Sequence, residues 1–304
     1  MRGPERRHDL GKAFSTGALA RRRATDHAAR FVITLGGIAV ILSIFAILYF
    51  IAAEVWPLAN KASVSIEASH PVEGASRVLA AGTDDYRSIG YSLTDAGVLS
   101  FVSLANGSVL DSRALISGGT LASATASTDG RSLAVGTSGG EVLPVHISYE
   151  ATLDEDLART VTPVVEVGEP IALAVGPIAE AHIREGDDGE TAIAARTADG
   201  LLLYRVRSVT RSFLGGEEVE ESAYDLTAGL GGETPTALAL DGFGGNLYVG
   251  TGAGAIVRFA TSDSGGPEVA ERISSGAPIT AMGLLLGDRS VLVGDAAGGV
   301  AVWF

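Results

Sequence analysis

The sequence predicts an all-β domain of repeated antiparallel sheets, preceded by one membrane-spanning α-helix. Three observations carry this expectation. Residues 31–53, FVITLGGIAVILSIFAILYFIAA, hold no charge across 23 positions. Five later segments repeat one hairpin signature. The chain has 40 glycines but only 6% aromatic residues, which suits many short elements joined by tight turns.

Composition bounds the rest. The chain has 304 residues, room for one or two domains behind the apolar run, and no cysteine, so disulfide and thiolate chemistry are excluded. The net charge of −14 is split unevenly. Residues 1–30 carry eight Lys and Arg against three acids, a net of +5, and the remainder carries a net of −19. That acidic part would repel a polyanion, so no nucleic-acid partner is expected.

At about 1.5 Å rise per residue the apolar run is long enough to cross a hydrocarbon core of roughly 30 Å. It has no polar face at helical period, so it does not read as the buried helix of a soluble protein. Arg21, Arg22, Arg23 and Arg30 precede it, and the next cation is Lys61. Cations on that side keep it in the cytoplasm. The reading is a cytoplasmic basic N-terminus over 1–30, a transmembrane helix over 31–56 and an exported β domain over 57–304. A cleavable signal peptide ending near Ala52-Ala53 is an alternative, but its apolar core would be shorter than this run. Arg22-Arg23 suggests a twin-arginine signal, which Asp26 suits poorly. An uncleaved anchor in membrane lipid is therefore expected. Gly36, Gly37 and Ser43 permit close helix approach without forming G-x-x-x-G. Tyr49 and Trp56 suit the headgroup level, and Pro57 should end the helix.

The repeated signature is an apolar run, usually a Thr, two small or polar residues, a Gly, and a second alternating apolar run. It recurs around Gly97, Gly140, Gly200, Gly254 and Gly298, at intervals of 43, 60, 54 and 44 residues. LAVGT (133–137), LYVGT (247–251) and VLVGD (291–295) are strand-like, and glycine supplies the positive φ of the turn. Val300, Val302 and Phe304 should share one face of the last strand, with Ala301 and Trp303 on the other. Upstream of three units lie proline-opened runs at 170–175, 235–240 and 278–282, read as further strands because proline at a strand's first position costs no ladder bond. With a fourth outer strand from the variable linker, each unit of about 40–50 residues makes one blade of a β-propeller. The last unit, DAAGGVAVWF, resembles the close of a WD-repeat blade, with Phe304 where that family usually has Asp. A β-sandwich would not repeat one hairpin five times.

Candidate chemistry is sparse. Gly136-Thr137-Ser138-Gly139-Gly140 formally matches the nucleophile elbow, but that motif needs a strand-to-helix turn and Ser138 is flanked by two strands. His8, His27, His70, His146 and His182 are scattered without ligand spacing. Acidic inserts at Asp154–Asp156, Glu185–Glu190 and Glu217–Glu221 match no calcium-loop pattern and read as solvated loops. The glycine clusters at 229–232 and 242–245 lack the periods of a phosphate-binding loop. Asn106-Gly107-Ser108 reads as a turn before it reads as a sequon. No catalytic, cofactor or metal residue is nominated, and no enzymatic activity is expected. The run Ala62–Ile66 is a candidate to return and close a five-bladed ring; otherwise more blades should follow, and the chain reads as a fragment.

The order of features carries one family resemblance. The cluster Arg21-Arg22-Arg23 with Asp26 and Arg30, one span, then Glu54-Val55-Trp56-Pro57-Leu58 and an exported repeat domain, resembles the N-terminal region of the long-form bacterial phosphate ABC-transporter permease, the PstC type. It would cover roughly residues 20–304. It implies an inner-membrane protein with a periplasmic propeller-like domain and a role in phosphate import. The implied partners are a second permease, an ATPase and a phosphate-binding protein. The family's transport core has no counterpart in these residues. The alternative expectation is a free-standing, single-span anchored propeller acting as a protein-interaction scaffold.

Overall fold

The computed structural model describes residues 16–59, 69, 77–127, 130–153, 159–186, 190–211, 217–242, 245–261, 266–285 and 287–303. They fall into two compact units, Met1–Glu67 and Ala68–Phe304.

In the first unit, helix α1 runs Thr16–Val55 and continues into a 3-10 turn, Trp56–Ala59, which holds Pro57. The α-helix thus stops two residues before the proline, whose ring clashes with a preceding helical turn. Its start lies well upstream of the apolar run, inside the basic head. Thr25–Val55 is long and apolar enough to cross a membrane, a property that a signal sequence shares. Within it, Ser43 Oγ donates to Ala39 O at 2.9 Å, so its hydroxyl is satisfied inside the helix.

The second unit is a β-propeller, built of five antiparallel sheets among the described residues. Blade 1 is β1 (Val78–Thr83), β2 (Ile89–Thr94), β3 (Val98–Ser103) and β4 (Val109–Ala114). Blade 2 is β5 (Leu121–Ala126), β6 (Ser132–Thr137), β7 (Glu141–Leu153) and β8 (Arg159–Val167), with a two-residue β9 (Ile171–Ala172) on β7. Blade 3 is β10 (Ile178–Glu185), β11 (Thr191–Thr197), β12 (Leu202–Arg211) and β13 (Glu217–Asp225). Blade 4 is β14 (Pro235–Leu240), β15 (Asn246–Thr251), β16 (Ala255–Ala260) and β17 (Glu268–Ser274). Blade 5 is β18 (Ile279–Leu284), β19 (Val291–Asp295) and β20 (Val300–Trp303).

Sequence order is spatial order in every blade, so each is a meander. The first strands of successive blades, β1, β5, β10, β14 and β18, lie side by side at the centre. Each carries a bulge at its second residue, between Val78 and Ala80, Leu121 and Ser123, Ile178 and Glu180, Pro235 and Ala237, and Ile279 and Ala281. A bulge bends its strand and sharpens the local twist.

The five hairpins are the ones the repeat predicts. Gly97, Gly140, Gly200, Gly254 and Gly298 all have positive φ, from 78° to 95°. In each turn a side-chain oxygen caps the backbone N–H four residues further on. Thr94, Thr197 and Thr251 Oγ1 accept from the backbone N of Val98, Leu201 and Ala255; Thr137 Oγ1 accepts from Glu141 N, and Asp295 Oδ1 from Gly299 N. The shared Thr is thus a turn cap.

Apolar clusters fill the seams between neighbouring blades. Blade 1 packs on blade 2 through Leu93, Leu99 and Phe101 against Leu133, Val135 and Val145. Blade 2 meets blade 3 through Ala134 and Val142 against Ile178 and Ala181. Leu202 and Tyr204 of blade 3 pack with Leu238 and Val249 of blade 4, and Ala237 and Ile256 of blade 4 pack with Ile279 and Val291 of blade 5.

Two expectations need correction. The run 170–175 is not the first strand of blade 3. Only Ile171–Ala172 is extended, paired to Glu141 and Val142, and Val175 is 97% exposed. β8 covers β7 only from Val145 onward, so the start of β7 lies open to that short pairing. The true first strand opens after Pro177, at Ile178. Glu217–Glu221 is a strand, not a loop. It pairs with β12 so that Glu221 stands opposite Arg207, and Glu221 also forms an ion pair with Arg205. Opposite charges across a ladder favour that register. The candidate closing run 62–66, the acids 154–156, and His8, His70 and Phe304 lie outside the described residues.

Candidate functional site

The innermost strands of blades 2 to 5 converge on a cavity of about 530 Å³. Their ends supply the wall: Thr125–Ser127 from blade 2, His182–Glu185 from blade 3, Ala239, Leu240 and Gly242 from blade 4, and Met282–Leu284 with Asp288 from blade 5. Ser132 and His146, from β6 and β7, complete it.

His146 and His182 are therefore brought to one cavity although 36 positions apart; no spacing rule marks them. Each is engaged by its own blade. Ser132 Oγ lies 3.3 Å from His146 Nδ1, and the two residues are direct cross-strand partners. His182 Nε2 lies 3.1 Å from Glu180 Oε1.

Behind the wall, Glu180 ties blade 3 to blade 4. Its carboxylate accepts from Arg196 Nε at 2.8 Å and from the backbone N of Leu238 at 3.2 Å. Burial alone would raise its pKa, but the hydrogen bonds and charges of His182 and Arg196 outweigh that and hold it below the usual glutamate value. The blade register places Arg196 where blades 2, 4 and 5 have Gly136, Gly250 and Gly294. This break in the repeat was the sequence signal for the network.

At the rim, Arg184 pairs with Glu190, and Asp288 Oδ2 accepts from Gly242 N at 2.8 Å. Arg184 Nε and Asp288 Oδ1 are buried with no hydrogen-bond partner among the described residues. The cavity thus presents a cation, carboxylates, imidazoles and hydroxyls beside apolar Ile183, Leu240 and Met282. Such a surface suits polar contact with a peptide segment or small polar ligand.

Ser138 sits in the β6–β7 turn, its Oγ accepting from Thr120 Oγ1 at 3.2 Å, in strand-turn-strand geometry. His27 lies on α1, its Nδ1 2.9 Å from Arg23 O. Asn106 Oδ1 accepts from Ser108 N in a turn. Among the described residues no group of three His, Cys, Asp or Glu is placed to hold a metal.

No protein-family model matches the chain, and no curated protein matches it. Among solved structures it is similar to the β-propeller domain of Cps50 (Swd1) from Myceliophteria thermophila, at 16% identity and a TM-score of 0.49. The match covers 75% of this chain and 64% of that one, so the chain spans less than two thirds of that structure's length. The successive antiparallel meanders make the second unit a β-propeller, and among the described residues one apolar helix precedes it.

Proposed function

We propose that this protein is a membrane-anchored β-propeller that works as a protein-interaction scaffold, without catalytic chemistry of its own. The observation that carries this reading is a helix able to span a membrane, Thr25–Val55, in one chain with a five-sheet propeller unit. Arg21, Arg22, Arg23 and Arg30 precede the apolar run and Lys61 is the next cation after it, a bias that favours export of the propeller. The cavity sets His146, His182 and Arg184 beside apolar Ile183, Leu240 and Met282, a lining that supports recognition of a polar segment.

The narrower reading is a periplasmic module of a phosphate-import permease. It is supported only by the basic cluster, the span and the Glu54–Leu58 segment, and by no comparison. Co-purification with an ATPase and a second permease would favour it.

The test of the anchor is alkaline carbonate extraction of membranes, with mass spectrometry of the N-terminus. The full chain should stay in the pellet with α1 intact. Release of a chain beginning near Glu54 would make the helix a signal peptide and sink the scaffold-on-a-membrane reading.

A further inference from the structure

The strand registers make positions comparable across blades. The residue paired to the interface position of the second strand is Leu99, Val142, Leu202, Ile256 and Val300 in blades 1 to 5. The first four are 0%, 0%, 0% and 4% exposed, each within the cluster shared with the following blade. Val300 is 72% exposed. Leu292 and Val302, cross-strand neighbours on the same face, are exposed with it. A face that four blades bury is bare on the fifth.

Gly294 belongs to that face, and its counterparts show what sits there. A Cβ at Gly136 would lie 2.8 Å from Ile178 Cβ, and one at Gly250 would lie 2.8 Å from Ile279 Cβ. In both, the β-branched residue opening the next blade rests on the bare glycine backbone. Where the position is Leu93 or Arg196 instead, the next blade opens on Leu121 or Pro235. A hydroxyl secures the contact: Ser123 Oγ donates to Ile178 O at 2.8 Å and Thr236 Oγ1 to Ile279 O at 2.6 Å. Thr280 occupies the Thr236 position, and it is exposed. A Cβ at Gly294 would meet nothing nearer than 3.8 Å.

At the other end of the row, Val78 opens blade 1 and is 48% exposed, whereas Ile178 and Ile279 are 0% and 1%. Among the described residues nothing covers either end face, so neither covers the other.

We propose that the free face of blade 5 docks a further blade-type β-sheet, one whose innermost strand opens on Ile or Val seated against Gly294 and bonded through its carbonyl to Thr280. That sheet would bridge toward blade 1 and cover Val78 with its own trailing face. The proposal names the partner class of the scaffold reading and rests on it.

The test uses the full chain in its own membranes, opened by sonication. The chain has no cysteine, so single variants report cleanly. Val300→Cys is compared with Val109→Cys, exposed on β4, and Ile256→Cys, buried beneath blade 5. With a polyethylene-glycol maleimide, Val300→Cys should react about tenfold more slowly than Val109→Cys, its rate set by local opening. A maleimide–diazirine reagent on the same cysteine should then link to a strand opening on Ile or Val in a sheet other than blade 1. Reaction as fast as Val109→Cys overturns the proposal. So does a link to lipid, to Val78 of the same molecule or to Val78 of a second copy. Carbonate extraction reads the anchor separately, so either idea can fail alone.

Discussion

Glu180 is the residue whose chemistry is most tightly bound to the fold. Its carboxylate serves Arg196, His182 and the Leu238 amide at once. Replacing it with Ala leaves a half-buried guanidinium and an amide without their acceptor. A loss of about 3 kcal/mol is expected for breaking such a pair. Glu180→Gln keeps an acceptor for Leu238 and should cost less. Asp84 is the second such group, accepting from the backbone N of Tyr86, Ser88 and Ile89 and from Ser88 Oγ. In both, burial pushes the pKa up and the hydrogen bonds more than offset it, so both folded values lie below the ordinary 4.5 and 3.8. Their contribution to stability is therefore present above those values and is lost as pH falls through the depressed ones. Urea midpoints should drop between pH 5 and pH 3 (about the titration range of carboxylates) and drop less in Glu180→Gln. An equal drop in the variant would show that Glu180 does not contribute.

At the scale of elements, blade seams are set by small residues that let one sheet approach the next. Gly136→Val would drive a side chain into Ser123 and Ile178, and overpacking of this kind costs about 1–3 kcal/mol. Gly294→Val, the same change at the matching position of blade 5, meets only ordinary contacts with Ala281 and should leave the unpartnered chain's stability nearly unchanged. Thermal melts of the two purified variants decide it; equal losses would mean that the seam does not set the cost. The hairpins were readable because one signature encodes them: a capping Thr or Asp and a glycine at positive φ. The first strand of blade 3 was misread because Pro170-Ile171 and Pro177-Ile178 look alike locally. The choice between them depends on how far β8 covers β7, which is a property of the sheet.

For the whole molecule, the governing separation is between an apolar helix and an acidic propeller. A charge in the centre of the helix tests what the helix does. Ile41→Arg adds about 3 kcal/mol to insertion. The variant should partition into the soluble fraction or be degraded, whereas Val109→Arg, exposed on blade 1, should leave membrane association unchanged. Membrane retention of Ile41→Arg equal to the parent's would rule out the helix as the principal anchor.

The sequence alone determined the helix, the blade repeat and the turns, because each depends on neighbours within a few residues: an uncharged run, a period of two, a glycine where φ must be positive. Tertiary structure decided the rest. It brought His146 and His182 to one cavity, turned Glu217–Glu221 into a strand opposite arginines, and set Glu180 against Arg196 and Leu238. It also left Val300 bare where Val142 is covered. These outcomes depend on which blade lies beside which, and contacts between blades join residues too far apart in the chain for any local pattern to record them.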